Sequence, residues 1–371
     1  MEDIFNVQEL LDKITEKLTE NDPKLTNESA SEKAKSLLKG LIDGGAEMIS
    51  EFANAVGSGE YELPDGSLLQ VGAPGVKKVE ISPETQEKVD KVLAKVDEMI
   101  PPVETVRLRL SRDKTTVFDS KMGGVPYFPK GMEYPTVREG EHAGKPLYFL
   151  AQLNFGKLPK IEGFPTEGIL QFFAGGDGSG DYGMSWKDKC DQNAFRVLFH
   201  EYISTDENGL FSVEDMPDFE YDKDAPDFAF TGEFLLTAEE TEKMPVTEYD
   251  FRFVNYVYKA YNELFNAELK SFYDMYDADR PLSEAIYQAR ATVGTRMGGY
   301  PHFEQEDLRG YEDNGLSGHT VLLFQSDSEN GGEGWENMVC WGDAGVANFF
   351  ITPEDLARRD FSNVLYNWDC G

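Results

Sequence analysis

Apolar residues in the first hundred positions recur at the three-to-four spacing of one helical face. One such stripe covers residues 7–18 and a second covers residues 37–52. A third follows Ser82-Pro83, a pair typical of a helix N-cap and first helical position, and continues to Ile100. Pro101 and the proline after it cannot continue a helix. The pattern therefore predicts a helical N-terminal region over residues 1–100 and a domain boundary near residue 101.

From residue 103 onward, short apolar runs and strict alternation replace the helical spacing, and both are typical of strands. Residues 251–290 return to helical spacing, and Thr352-Pro353 predicts the start of one further short helix. The predicted strands are, in chain order, "VRLRL", "PLYFLAQLNF", "GILQFF", "FRVLFHEYI", "TVLLFQSD", "GVANFFI" and "VLYNWDC". We therefore predict an α+β domain over residues 101–371.

One stretch of this domain occurs twice, as "KMGGVPYF" at residues 121–128 and "RMGGYPHF" at residues 296–303. Two further matches follow in the same order. The offset is 299 − 124 = 175 for the second glycines, 325 − 152 = 173 for the glutamines that end two apolar runs, and 345 − 168 = 177 for the glycines that open the Phe-Phe strands. Offsets that differ by so little predict an internal duplication, with units at about 103–200 and 285–371. The predicted fold class is thus α+β with duplicated mixed or antiparallel sheet units and packing helices, preceded by the N-terminal helical region.

The glycine pairs are candidates either for a turn or for a backbone anion site. Each glycine pair, Gly123-Gly124 and Gly298-Gly299, precedes a proline that removes a backbone donor, and no phosphate-loop pattern surrounds either copy. This favours glycines that supply positive φ angles or close backbone approach. Lys121 and Arg296 precede the pairs at matching positions, where they form ordinary ion pairs or orient an anionic ligand.

A second group of candidates comprises polar and aromatic residues around two predicted strands. These are Gln325, Asp327 and Ser328 after one strand, Trp341 and Asp343 before the next, and Gln152 as the counterpart of Gln325. If the strands pair, the side chains meet at one sheet edge, where the indole stacks on a polar ligand and the others orient it. The alternative is a loop whose Asp and Ser side chains hold its own turns.

The chain resembles the YwqG-like family, a bacterial domain of unknown function. The resemblance covers about residues 101–371 and depends on "SKMGGVPYFPKGMEYP", "PLYFLAQLNF", "LLFQSDSENG" and "CWGDAGVANFFITPEDLARRDFSNV". It implies a mixed α+β fold with duplicated sheet units and carries no established activity.

Composition excludes several function classes. The chain has 371 residues, and its 35 Lys and Arg against 69 Asp and Glu give a net charge of 35 − 69 = −34, which repels nucleic acid and anionic lipid. No apolar run is long enough to span a bilayer, and the acidic start lacks the features of a signal peptide, so we expect a cytoplasmic protein that binds neither membrane nor nucleic acid. Three scattered cysteines and four single histidines match no metal or nucleophile motif, and we expect no cofactor and no metal.

These observations favour a non-enzymatic acidic module that binds a basic protein, one version being the neutralisation of a toxin-like partner. The alternative is a small-molecule sensor or enzyme with a polar cleft between the two repeats, in which the polar and aromatic group listed above binds the ligand while Lys121 and Arg296 orient its anionic part. Asp327 and Asp343 act as an acid-base pair only if the fold brings them within reach of each other. A scaffold whose N-terminal helices dock on a partner is a third interpretation.

Overall fold

The computed structural model describes residues 81–175, 181–218, 228–311, 314–330 and 337–371, together with two strands before them. Those strands, β1 (Gly59–Glu62) and β2 (Leu68–Val71), pair antiparallel. The predicted helical stripes at 7–18 and 37–52 lie outside the described residues. By its internal contacts the chain divides into two units, residues 1–81 and 82–371.

Two antiparallel six-stranded sheets form the framework of the second unit, and together with its helices they confirm the predicted α+β class. The first sheet has the order β4 (Arg109–Ser111), β9 (Glu233–Thr237), β5 (Lys121–Gly123), β6 (Tyr148–Asn154), β7 (Ile169–Ala174) and β8 (Phe195–His200). The second has the order β10 (Glu242–Met244), β3 (Val103–Arg107), β11 (Arg296–Gly298), β12 (Val321–Asp327), β15 (Val346–Ile351) and β16 (Leu365–Asp369). A small separate pair joins β13 (Glu329–Asn330) to β14 (Asn337–Val339).

The chain crosses between the sheets at Leu108. The segment "VRLRL" was predicted as one strand, but the Leu108 N–H donates to Thr295 and the strand divides there. β3 before this point pairs with β11 of the second sheet, and β4 after it pairs with β9 of the first. The first strand of the predicted first unit, β3, therefore belongs to the second sheet.

The inner faces of the two sheets pack against each other through aromatic side chains. The ring of Phe172 in β7 lies 5.1 Å from that of Phe324 in β12 and 4.7 Å from that of Phe349 in β15, between centroids. Phe349 in turn stacks on Tyr366 in β16 at 4.5 Å. These four side chains are fully buried, so burial of apolar area fills the space between the sheets and stabilises their pairing.

The longest described helix is α1 (Pro83–Met99), with Ser82 as its N-cap as predicted. α1 packs against α2 (Phe253–Phe265) and α4 (Arg280–Gln288), and the Arg290 guanidinium lies 2.8 Å from the Asp97 carboxylate. It thus belongs to the same unit as the sheets, whereas the sequence pattern predicted a domain boundary after it, near residue 101. α3 (Phe272–Ala278) lies between α2 and α4 in the chain, and α5 (Pro353–Arg358) has the predicted Thr352 N-cap. No helix in the described part of the chain is long and apolar enough to cross a bilayer.

Candidate functional site

Both glycine pairs adopt the same left-handed backbone. The φ angles are 65° and 69° at Gly123 and Gly124, and 67° and 75° at Gly298 and Gly299. A Cβ at Gly298 would lie 2.6 Å from the Glu104 carbonyl oxygen, and one at Gly123 would clash with that of Gly232. The prediction that these glycines supply positive φ and close backbone approach is therefore confirmed.

A buried glutamine holds the segment after each glycine pair. Gln152 Oε1 accepts the main-chain N–H of Tyr127 at 2.9 Å, and Gln325 Oε1 accepts that of His302 at 2.8 Å. The amide groups donate to the chain before the glycines, from Gln152 to Asp119 and from Gln325 to Gly294, each at 2.8 Å. Both glutamines are 0% exposed, so their hydrogen-bonding capacity is spent inside the fold.

The next strand of each sheet repeats this agreement. Gln171 in β7 donates to the Tyr127 carbonyl at 2.6 Å, and Asn348 in β15 donates to the His302 carbonyl at 2.7 Å. A register shift also occurs at the same place, between Phe149 and Ala151 of β6 and between Leu322 and Phe324 of β12. The two sheets thus share one hydrogen-bonded scaffold around their glycine pairs.

The basic residues before the glycines are buried within their own sheets. Lys121 is 2% exposed, its Nζ donates to Thr115 at 3.1 Å, and Glu233 lies 3.8 Å away. Burial lowers the pKa of Lys121, with Glu233 and Asp119 acting in the opposite direction. Arg296 is 4% exposed and donates to the carbonyls of Val293 and Gly294, and burial lowers its pKa to about 10.

The polar group between β12 and β15 is brought together only in part. The strands pair, and Ser328 Oγ donates to Gly345 at 2.7 Å while accepting the Trp341 N–H at 2.9 Å. Trp341 is fully buried and its indole N–H donates to Ser326, so its ring faces the core. Asp343 is exposed on the turn that follows.

Asp327 belongs to a different cluster, centred on His302. Asp327 Oδ2 lies 3.3 Å from His302 Nδ1, and Glu304 Oε1 lies 3.3 Å from His302 Nε2. The side chain of His302 is 3% exposed, that of Asp327 6% and that of Glu304 33%. Burial acts to lower the pKa of His302, but its bonds to the two carboxylates outweigh burial and raise the pKa to about 9. The imidazole is therefore positively charged at neutral pH.

Further carboxyl groups and a phenol surround this imidazole. The Tyr249 ring meets the His302 ring edge-on at 4.8 Å between centroids. Burial raises the pKa of Glu248 to about 7, against the nearby charges of His302 and Arg296. Burial likewise raises the pKa of Asp369 to about 6, although Asp369 accepts the main-chain N–H groups of Glu304 and Gln305. Ionisable groups with shifted pKa values concentrate at functional sites, which marks this cluster as a candidate.

The first sheet carries mostly neutral groups at the corresponding positions. Tyr127 stands where the second sheet has His302, and Asn154 stands where it has Asp327. His200 pairs in register with Ile169 as Asp369 pairs with Val346. Burial lowers the pKa of His200 to about 4, so it is neutral there. The scaffold forms without charge in the first sheet, and the charged set is particular to the second.

The sequence analysis did not identify His302, Glu304, Glu248, Tyr249 or Asp369 as a site. The signal that could have found the first of them is the exchange of Tyr127 for His302 within the repeated octamer. Glu248, Tyr249 and Asp369 come from segments far from it in the chain, and no spacing rule connects them.

In the described part of the chain, Cys190 and His319 form a thiol–imidazole contact, with 3.6 Å between Cys190 Sγ and His319 Nε2. Burial raises the pKa of Cys190 to about 12, so the thiol stays protonated, and His319 Nε2 also contacts the Asn363 carbonyl. This pair lacks the lowered thiol pKa of a nucleophilic cysteine. Among the described residues, no group of three or more His, Cys, Asp or Glu side chains is arranged to hold a metal ion.

Comparison with known proteins gives a family and no activity. No curated protein matches the chain. A family profile described as a domain of unknown function, DUF1963, matches residues 120–370, which include both glycine pairs, the buried glutamines Gln152 and Gln325, and the His302 cluster. Because this match covers more than half of the 371 residues, the chain belongs to the DUF1963 family.

Proposed function

We propose that the protein is a binding module for a basic protein partner. The observation that carries the proposal is the net charge of −34, from 69 acidic and 35 basic side chains. A field of this size attracts a positively charged protein and speeds its association, while it repels acidic competitors. One concrete version is the neutralisation of a toxin-like basic protein.

One acidic segment of the chain supports this proposal. Residues 201–218 contain no Lys or Arg, and their six acidic side chains are all exposed: Glu201, Asp206, Glu207, Glu214, Asp215 and Asp218. Within the same segment Tyr202 is 84% exposed and Val213 is 78% exposed. Protein interfaces combine apolar side chains, which act as anchors, with polar side chains around them, and this segment exposes both kinds.

Capture of partners on the immobilised full chain, at about 50 mM and about 500 mM salt, tests the proposal because salt screens exposed charges. We expect a partner of high isoelectric point that binds at low salt, elutes at high salt and re-forms a one-to-one complex when purified. Failure to find any salt-sensitive basic partner would overturn it.

A charge-matched pair of variants locates the surface. The first neutralises Glu201, Glu207, Glu214 and Asp218, whose side chains make no described hydrogen bond; the second neutralises the exposed Glu84, Glu87, Asp90 and Glu98 along α1. Each removes four negative charges. We expect only the first to weaken partner binding substantially, because charges outside the contact act through the screened field alone.

A small-molecule ligand is the second candidate function. The observation that favours it is the His302 cluster, which the shared scaffold does not require. A ligand that raises the melting temperature of the native chain, and equally that of the variant with neutralised acids in residues 201–218, would favour this candidate.

Three finer statements belong to the same proposal. The motifs around both glycine pairs support assignment to the YwqG-like group of bacterial proteins. The shared glutamine contacts and register shifts support an origin of the two sheets by internal duplication. The low cysteine content, three residues in 371, supports a cytoplasmic location.

A further inference from the structure

The second sheet lacks a hydrogen-bond donor that the first sheet has. In the first sheet His200 Nε2 lies 2.8 Å from Gln171 Oε1 and caps that buried acceptor. The corresponding residues of the second sheet are Asn348 and Asp369, and both offer acceptors. Asn348 is 0% exposed, and its Oδ1 has no partner among the described residues.

A second acceptor beside His302 is also without a donor. Glu248 Oε2 is buried and has no hydrogen-bond partner in the described part of the chain. A buried acceptor left unpaired costs free energy of about 1–3 kcal/mol. Both side chains interact with His302, that of Asn348 with the His302 main-chain carbonyl and that of Glu248 with the imidazole charge, so they call for a donor that the described residues do not provide.

The charge balance points to the kind of donor. Four carboxyl groups lie close enough to affect the Tyr249 hydroxyl, those of Glu248, Glu304, Asp327 and Asp369. The cationic side chains that act on these four carboxyls are three, His302, Arg296 and Lys189. The cluster therefore has a deficit of positive charge, and the half-exposed Glu304 and Tyr249 connect it to solvent.

We propose that this cluster binds an organic cation with N–H donors, a guanidinium or alkylammonium group. The cation donates to Asn348 Oδ1 or Glu248 Oε2, pairs with Glu304 and Asp369, and lies against the Tyr249 ring, where a cation is attracted to the aromatic face. Asn348 and Asp369 are shorter than the Gln171–His200 pair that fills the same place in the first sheet. As the anchor point for an Arg or Lys side chain of the basic partner, the site rests on the proposed function; as a site for a free amine or guanidine it does not.

The test is a titration of the isotope-labelled full chain with methylguanidinium, followed by amide and side-chain chemical shifts. Methylurea, which has the same shape without the charge, is the matched control probe. We expect saturable shifts at residues 248–249, 302–305 and 369 with methylguanidinium and none with methylurea. Absence of saturable shifts there, or equal shifts with methylurea, would overturn the site.

Two variants and one control make the result specific. Glu304→Gln and Asp369→Asn should each weaken methylguanidinium binding about tenfold, the loss of one charge-assisted bond. Glu306→Gln removes an exposed carboxylate from the same segment and should leave binding unchanged. Unaltered affinity in both Glu304→Gln and Asp369→Asn would contradict the proposal, and Glu304→Gln is expected to fold because its side chain is 33% exposed.

A second set of measurements, with an Arg-containing tripeptide and with the captured basic partner, distinguishes a protein side chain from a free amine or guanidine as the source of the cation. Tighter binding of the tripeptide than of methylguanidinium, together with weaker partner binding by Glu304→Gln, assigns the site to a protein side chain. Methylguanidinium binding in a protein that captures no basic partner leaves the site standing and removes the proposed function. Partner binding that is unchanged by Glu304→Gln, with no methylguanidinium binding, removes the site and leaves the proposed function.

Discussion

Gln325 Oε1 accepts the main-chain N–H of His302 at 2.8 Å, and this bond places the imidazole beside Asp327. The first sheet makes the same bond from Gln152 to Tyr127. The scaffold is therefore common to both sheets, while the side chains that it presents differ. This separation between a shared framework and a divergent cluster underlies the predictions below.

Replacement of Gly298 by alanine should destabilise the fold strongly. The added Cβ would lie 2.6 Å from the Glu104 carbonyl oxygen, in a left-handed backbone with φ of 67°. We expect a loss of about 3 kcal/mol or more in the free energy of unfolding, measured by denaturant titration. Gly315→Ala is the control, since φ is 70° and no heavy atom lies within 4 Å of the added Cβ, and should cost only about 1 kcal/mol. Equal losses in the two variants would show that close approach is unimportant.

Gln325→Met should lower stability at nearly constant side-chain volume because it leaves the buried His302 main-chain N–H without an acceptor. It also removes one of the two donors to the Gly294 carbonyl, which keeps Arg296. The expected loss is about 1–3 kcal/mol, and Gln152→Met in the first sheet should cost a similar amount. Gln86→Met on the exposed face of α1 should stay within about 0.5 kcal/mol. A much smaller effect of Gln152→Met than of Gln325→Met would argue against a scaffold common to both sheets.

Stability should fall as pH rises through about 9 because of His302. Its pKa is raised to about 9 in the folded chain, so its contribution is fully present below the unfolded value of 6.5 and is lost as pH rises through 9. Unfolding of the native chain and of His302→Gln, followed between pH 6 and 10, should show a difference that shrinks over this range by about 1–3 kcal/mol. A difference that does not change with pH would mean that the imidazole has the same pKa in the folded and the unfolded chain.

Glu248→Gln should stabilise the protein at pH 8 and leave it almost unchanged at pH 4. Burial raises the pKa of Glu248 to about 7, so the stability present below the unfolded value of 4.5 is lost as pH rises through 7. The neutral amide avoids that loss, and we expect a gain of about 1–3 kcal/mol at pH 8. Glu240→Gln, at an exposed position, is the control and should change little at either pH. Destabilisation by Glu248→Gln at pH 8 would show that the carboxylate already has a strong partner.

Most strands could be predicted because each carries its own periodicity. The continuous apolar run of β6 and the Phe-Phe pairs of β7 and β15 require burial on both faces, wherever the strand lies in the sheet. The crossing at Leu108 could not be predicted, since the alternation of "VRLRL" continues through it and only the partner strands, distant in sequence, distinguish the two halves.

The site was predictable only as far as the repeat reached. The repeated octamer identified both glycine pairs, and the second match of the repeat identified Gln325, because the scaffold requires the same residues twice. Trp341 was chosen for its aromatic ring, but burial depends on tertiary packing, and the ring lies in the core. The carboxyl groups around His302 come from four separate segments, so only the folded chain brings them together.

The central claim, that a basic protein binds this acidic surface, is tested most directly by the association rate constant as a function of ionic strength. With the captured partner, we expect the rate constant to fall at least about tenfold between about 50 mM and 500 mM salt. The fall should be smaller in the variant that neutralises Glu201, Glu207, Glu214 and Asp218 than in the variant that neutralises the four acids of α1. A rate constant that is independent of salt and equal in both variants would contradict the account.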